Sequence, residues 1–234
     1  MGESALPFPV VDGRRLEKRV RDALRPGGVL VDPAHGAREL PRYFYEIPSW
    51  EDAVECDVTE NFALWEFLHV DVREAPPQRG FPRYIPCAVT LLVAALEHFR
   101  EAVGRPVHIA ANGGYRSPAH ALTQGASPHC WGTAVNIYRI GDQYVDDQDT
   151  IERYAEIARA AVPGIFARPF GQARGGGDDH LHLDVGYVTV VPRWAPGEHP
   201  NRWDEDDAAE ELVGDGEGPG DVGATEQEGD DVAA

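Results

Sequence analysis

The chain has 234 residues, 42% of them hydrophobic, enough for the core of one domain with appendages. Its net charge of −19 is uneven: 13 of the 40 acidic residues fall from Asp204 onward, where there is no Lys or Arg, leaving 27 acids against 21 bases in the body. No basic patch is visible and the acidic end repels a phosphate backbone, which argues against nucleic-acid partners.

The opening, "MGESALPFPVVDGRRLEKRV", has no charged start followed by an apolar stretch, and no apolar run approaches a membrane span. A cytoplasmic protein is the default expectation. Residues 1–13 read as an irregular lead. Leu16, Val20, Ala23 and Leu24 then take helical spacing, stopped by Pro26-Gly27-Gly28. Short strands are expected at Val29–Val31 and Tyr43–Ile47. "TENFALWEFL" (59–68) reads as a short helix opened by a Thr or Asn cap. Pro86 is expected to start the clearest helix, with an apolar stripe of Val89, Leu92, Val93, Leu96, Phe99 and Val103 ended by Gly104. "PVHIAA" (106–111) reads as a strand, and 112–132 as a long polar loop of the kind that usually carries function. "TAVNIYRI" (133–140) is a strand. Asp149 and Glu152 suggest a capping box for a helix running to about Val162. A Gly-rich loop (171–177) leads into "HLHLDV" (180–185), with a further strand expected at Tyr187–Val191. The end, 204–234, reads as a disordered acidic tail. Helices and strands without strict alternation predict an α+β domain with a small, mostly antiparallel sheet and flanking helices.

Alternation on the last strand sets His180, His182 and Asp184 on one face and Leu181, Leu183 and Val185 on the other. Asn136 lies on the strand before, and the Trp131-Gly132 turn can fold His129 back over it. His129, Asn136 and His182 can thus meet, and three ligands with one open position is the pattern of a catalytic zinc site. The bland alternative is two half-exposed histidines on a strand. Asp184 reads either as a support for the metal site or as a solvated strand-end acid, and Asp178 as a loop acid. Tyr115 and Trp131 line a cleft or pack in the core. Cys56, Cys87 and Cys130 are odd in number and form no CxxC pair, so neither a disulfide framework nor a cysteine zinc knuckle is indicated. Cys130 adjoins His129, but adjacent residues of an extended chain point apart, and a small buried thiol is the simpler reading.

"GGYRSPAH" (113–120), "SPHCWGTAVNI" (127–137) and "DHLH" (179–182) together resemble the zinc D-alanyl-D-alanine carboxypeptidase family, whose relatives include phage cell-wall endopeptidases and the Hedgehog signalling domain. The resemblance covers about residues 59–190 and divides the chain into an N-terminal extension (1–58), a peptidase-like domain (59–203) and the tail. It implies a Hedgehog/D-Ala-D-Ala peptidase-like fold, Zn²⁺ as cofactor and peptidoglycan-type peptides as substrates. It further implies His129 and His182 as zinc ligands, Asp179 as acid/base, and His180 beside it as an oxyanion stabiliser. Arg116 would bind the substrate and steady negative charge, with Ser127 and Tyr115 as substrate contacts. A phage or lysis system would be the route to the wall.

Asn136 departs from the pattern, which has Asp there as the third zinc ligand. An uncharged amide oxygen is the poorer donor. Two functions therefore stand side by side: a zinc peptidase, and a degenerate member that binds wall peptide or a protein partner without cutting. The oligomeric state is not legible.

Overall fold

A computed structural model of the chain describes residues 5–32, 36–173, 178–193 and 195. The chain divides into units spanning 1–198 and 199–234, and every described residue belongs to the first. The acidic stretch 204–234 and most of the Gly-rich loop lie outside the described residues.

In chain order the elements are β1 (Val10–Asp12), α1 (Lys18–Leu24), β2 (Val29–Asp32), β3 (Gly36–Glu39), β4 (Tyr43–Ile47), α2 (Trp50–Glu55), β5 (Asp57–Thr59), β6 (Phe62–Ala63), α3 (Trp65–Leu68), α4 (Pro76–Arg79), β7 (Arg83–Pro86), α5 (Val89–Val103), β8 (Val107–Ile109), β9 (Ala134–Ile140), β10 (Gln143–Tyr144), α6 (Gln148–Ala161), β11 (Phe166–Ala167) and β12 (Leu181–Asp184). Strand pairs are antiparallel throughout the described residues, so the expected α+β class with small antiparallel sheets and flanking helices is what the chain forms.

Two sheets matter most. One runs β1-β4-β7; the other runs β10-β9-β12-β11, with β8 also on β9. The last strand in sequence, β12, is inserted between β9 and β11, with Leu181↔Ile137 and Leu183↔Val135 in register and all four buried. The apolar alternation of both strands thus faces one core, and the polar alternation faces away from it. α5 packs beside α6 and buries Val89, Leu92, Val93, Leu96 and Phe99; Gly104, at φ 63°, caps its end.

Several boundaries differ from the sequence expectation, each for a local reason. Residues 59–68 do not make one helix. Thr59 and Asn61 turn the chain by donating to the Glu97 carboxylate on α5, so the segment becomes the β5–β6 hairpin followed by the short α3. Pro86 ends β7 opposite Phe44, and α5 starts three residues later. The cap of α6 is Asp147, whose carboxylate accepts the Thr150 N–H at 3.0 Å; Asp149 lies within the first turn. No strand forms at 187–191: Gly186 takes φ 81° and the Tyr187 hydroxyl donates to the Ala126 carbonyl at 2.8 Å, which turns the chain off the sheet. The division at 58/59 is also not structural, because β4 lies between β1 and β7 and one core includes residues from Leu6 to Leu183. No helix among the described residues is long and apolar enough to cross a membrane.

Candidate functional site

The polar face of β9 and β12 carries the site. Antiparallel register sets Asn136 directly opposite His182, and His182 Nδ1 lies 2.9 Å from Asn136 Oδ1. His129 comes from the 3₁₀ turn Pro128–Trp131 that precedes β9. Its ring centroid is 5.2 Å from that of His182, at 60° between planes. Two imidazoles sharing one tetrahedral ion have centroids roughly 5 Å apart, given metal–nitrogen bonds of about 2.1 Å.

The loop before the turn is pressed against the same place. A Cβ on Gly113 would meet the Asn136 carbonyl oxygen at 2.8 Å, and one on Gly114 the Phe67 backbone at 2.6 Å, so only glycine lets this backbone through. Gly113 accepts the Asn136 N–H at 2.8 Å, and the Gly114 carbonyl accepts the His129 Nδ1–H at 2.8 Å. Arg116 follows two residues on, its N–H on the His129 carbonyl at 3.3 Å.

Tautomers follow from these partners. With Nδ1–H given to Gly114, His129 presents Nε2 as a bare lone pair. His182 gives Nε2–H to Asp184 Oδ2 at 3.0 Å, which leaves Nδ1 bare toward Asn136. Nδ1 and Oδ1 are then both acceptors. At 2.9 Å one of them must donate, so with Nδ1 bare the amide turns over and gives its own N–H; turned back, it would present Oδ1 beside Nδ1 to a metal. Burial holds His182 below the ordinary histidine range and His129 well below it, which disfavours the doubly protonated ring. The donors offered to a metal are thus two neutral imidazole nitrogens and one amide oxygen. Among the described residues there is no group of three His, Cys, Asp or Glu side chains able to hold an ion.

Asp184 is not a solvated strand-end acid. It is 6% exposed, and its second oxygen accepts the Gly186 N–H at 2.9 Å. A carboxylate behind a ligand histidine fixes the ring's orientation and strengthens it as a donor.

Arg116 is 9% exposed, and its guanidinium makes no hydrogen bond or ion pair with any described residue. Burial pulls it down to about 10, still charged at neutral pH. The loop that carries it is stapled by the buried Glu74, which accepts the Ser117 N–H at 3.0 Å and Oγ–H at 2.6 Å.

His180 accepts from the Arg168 guanidinium through Nε2 at 3.1 Å, so its Nδ1–H donates to Asp179 at 2.7 Å. That bond, from a neighbouring ring, holds the exposed Asp179 carboxylate below its ordinary range. Ser127 is half-buried beside the turn. Tyr115, expected to touch substrate, is instead buried in the main core, its hydroxyl without a hydrogen-bond partner. Trp131 packs inside with Leu40 and Cys130, and burial pushes the Cys130 thiol up to about 12, as suits an inert side chain. Asp178 stitches its loop by accepting from Gly171 and Ala173. His120, without an evident partner in sequence, bridges Asn112 and the Leu122 N–H. Phe166 and Arg168 were not marked by the sequence reading; the alternation around the buried Ala167 is the signal that would have found them. Comparison with protein-family models, curated proteins and solved structures finds no match.

Proposed function

We propose that the chain is a zinc-dependent peptidase acting on short, peptidoglycan-type peptides that contain D-amino acids, in a fold of the Hedgehog/D-Ala-D-Ala peptidase kind. The observation that carries this is the largely buried Arg116, whose Nε has no hydrogen-bond partner in the protein, beside two neutral imidazoles. A buried cation without a protein partner is costly unless a ligand supplies a carboxylate or a polarised carbonyl.

His129 Nε2, His182 Nδ1 and Asn136 Oδ1 would hold the zinc, which when bound supplies Lewis acidity and an acidified water. Asp184 keeps His182 turned so that Nδ1 faces the site. Arg116 binds the peptide and steadies negative charge at the scissile carbonyl. Asp179, ionised and open to solvent, takes the proton and returns it to the leaving amine; His180 holds the carboxylate in place.

A second reading rests on Asn136. Without the charge of a carboxylate the site would hold metal weakly, and the same cleft would bind wall peptide without cutting. Metal analysis joined to hydrolysis of a muropeptide separates the two. Stoichiometric zinc with chelator-sensitive cleavage supports the peptidase. A protein that binds the muropeptide but stays inert, and that gains zinc affinity and activity on Asn136→Asp, supports the binding module. A metal-free protein that neither binds nor cleaves removes both.

A further inference from the structure

Ile165, just before β11, and Ala167 on it are buried in the core, so Phe166 between them points to the opposite face. Its partner across the pair is Asp184, which sets it on the side of the sheet that holds Asp184 and His182. Its ring lies edge-on to the His182 imidazole, with centroids 6.5 Å apart and 69° between planes. Yet it is 49% exposed. Two residues on, Arg168 is tied by its backbone N–H to the His182 carbonyl at 3.0 Å and by its guanidinium to His180, so this rim is held rigidly. A large apolar ring half open to solvent is ordinary on a plain surface. Here it stands against His182, which is bound to both Asn136 and Asp184, and it supplies apolar surface beside them.

We propose that Phe166 is the floor of an apolar subsite that selects the peptide residue next to the hydrolysed bond, favouring a side chain larger than alanine. This rests on the peptidase reading. Arg116 takes the polar end of the ligand on the β9 side of the histidine pair, and Phe166 takes an aliphatic or aromatic side chain on the β11 side. The ligand class is therefore a short peptide with an apolar D-residue at the cut, rather than one with glycine or alanine there. Apolar pockets discriminate by about 10- to 200-fold per methylene.

The test is equilibrium binding of the uncleavable ketomethylene isosteres of acetyl-D-leucyl-D-alanine and acetyl-D-alanyl-D-alanine to the zinc-loaded protein and to its Phe166→Ala and Phe166→Leu variants. The leucyl peptide should bind at least about tenfold more tightly to the natural protein. Phe166→Ala should erase that preference without weakening the alanyl peptide, and Phe166→Leu should retain most of it. Equal binding of the two peptides, or a preference that survives Phe166→Ala, overturns the subsite and leaves the peptidase reading standing. Failure of both peptides to bind the natural protein overturns the reading and the subsite together.

Discussion

Two arginines are buried to nearly the same degree, and their surroundings could not differ more. Arg83, 8% exposed at the start of β7, donates to the Leu68 carbonyl at 2.7 Å and the Arg79 carbonyl at 2.6 Å, and lies over the Phe81 ring at 4.8 Å. Arg116, 9% exposed, has no such partners. Burial draws both guanidinium groups below their ordinary range and the Glu74 charge offsets part of that for each, but only Arg83 is also hydrogen-bonded within the protein. Arg83 closes the corner between α3, α4 and β7. Arg116 is kept beside the histidine pair with its Nε unpaired, which leaves it able to meet an anionic or strongly polar ligand.

The contrast breaks most sharply at Arg83. Arg83→Met should leave two interior carbonyls unpaired and lower stability by about 4 kcal/mol, read by urea denaturation, while a variant still folded in the cold binds peptide as before. Asp184→Asn asks whether the anion missing at Arg116 has been put to work next door on His182. It should lower zinc affinity about 10- to 100-fold in competition with a chromophoric chelator, and Asn136→Asp should raise it. Arg116→Met should move the other way from Arg83→Met. The ligand-free protein should gain about 2 kcal/mol while peptide binding is lost, because a largely buried charge with no hydrogen-bonded partner is removed. A loss of stability there would show that Arg116 is structural after all.

The smallest effect concerns pH. His129 and His182 have folded values below the unfolded value of about 6.5, so the folded state resists protonating them. Their contribution is complete above about pH 6.5 and is lost as pH falls from there toward the folded values. The slope is at most about 1.4 kcal/mol per pH unit for each histidine. Urea titrations at pH 7.5 and 5.5 should show the decline, and His182→Gln should flatten it.

What the sequence made legible was periodicity. The alternation in "HLHLDV" and "AVNIYRI" put the right residues on one face, and the stripe from Val89 to Phe99 marked α5. Ends were less legible, because partners far along the chain decide them. Glu97 turns Thr59–Asn61 into a hairpin, and pairing with Phe44 draws Pro86 into a strand. Asp184 looked like a solvated acid, since nothing local announces that its carboxylate folds back onto His182 two residues earlier. Tyr115 looked like a cleft residue because it sits beside Arg116 in the motif, but the tight passage at Gly113-Gly114 turns its ring inward. Arg116 was marked by type and motif; its lack of partners is visible only in three dimensions.

The placement of β12 carries a consequence for how the chain is made. β11 leaves the ribosome before β12 and pairs with no other strand among the described residues, and β9 waits with one edge open over residues 134–137. Until about residue 184 has emerged, His129 and Asn136 stand without His182 and Asp184. Long-range closure of this kind is slow and leaves strand edges bare in the meantime. The pairing of β9 with β12 and of β12 with β11 therefore comes late, and the arrival of one four-residue strand brings His182 opposite Asn136.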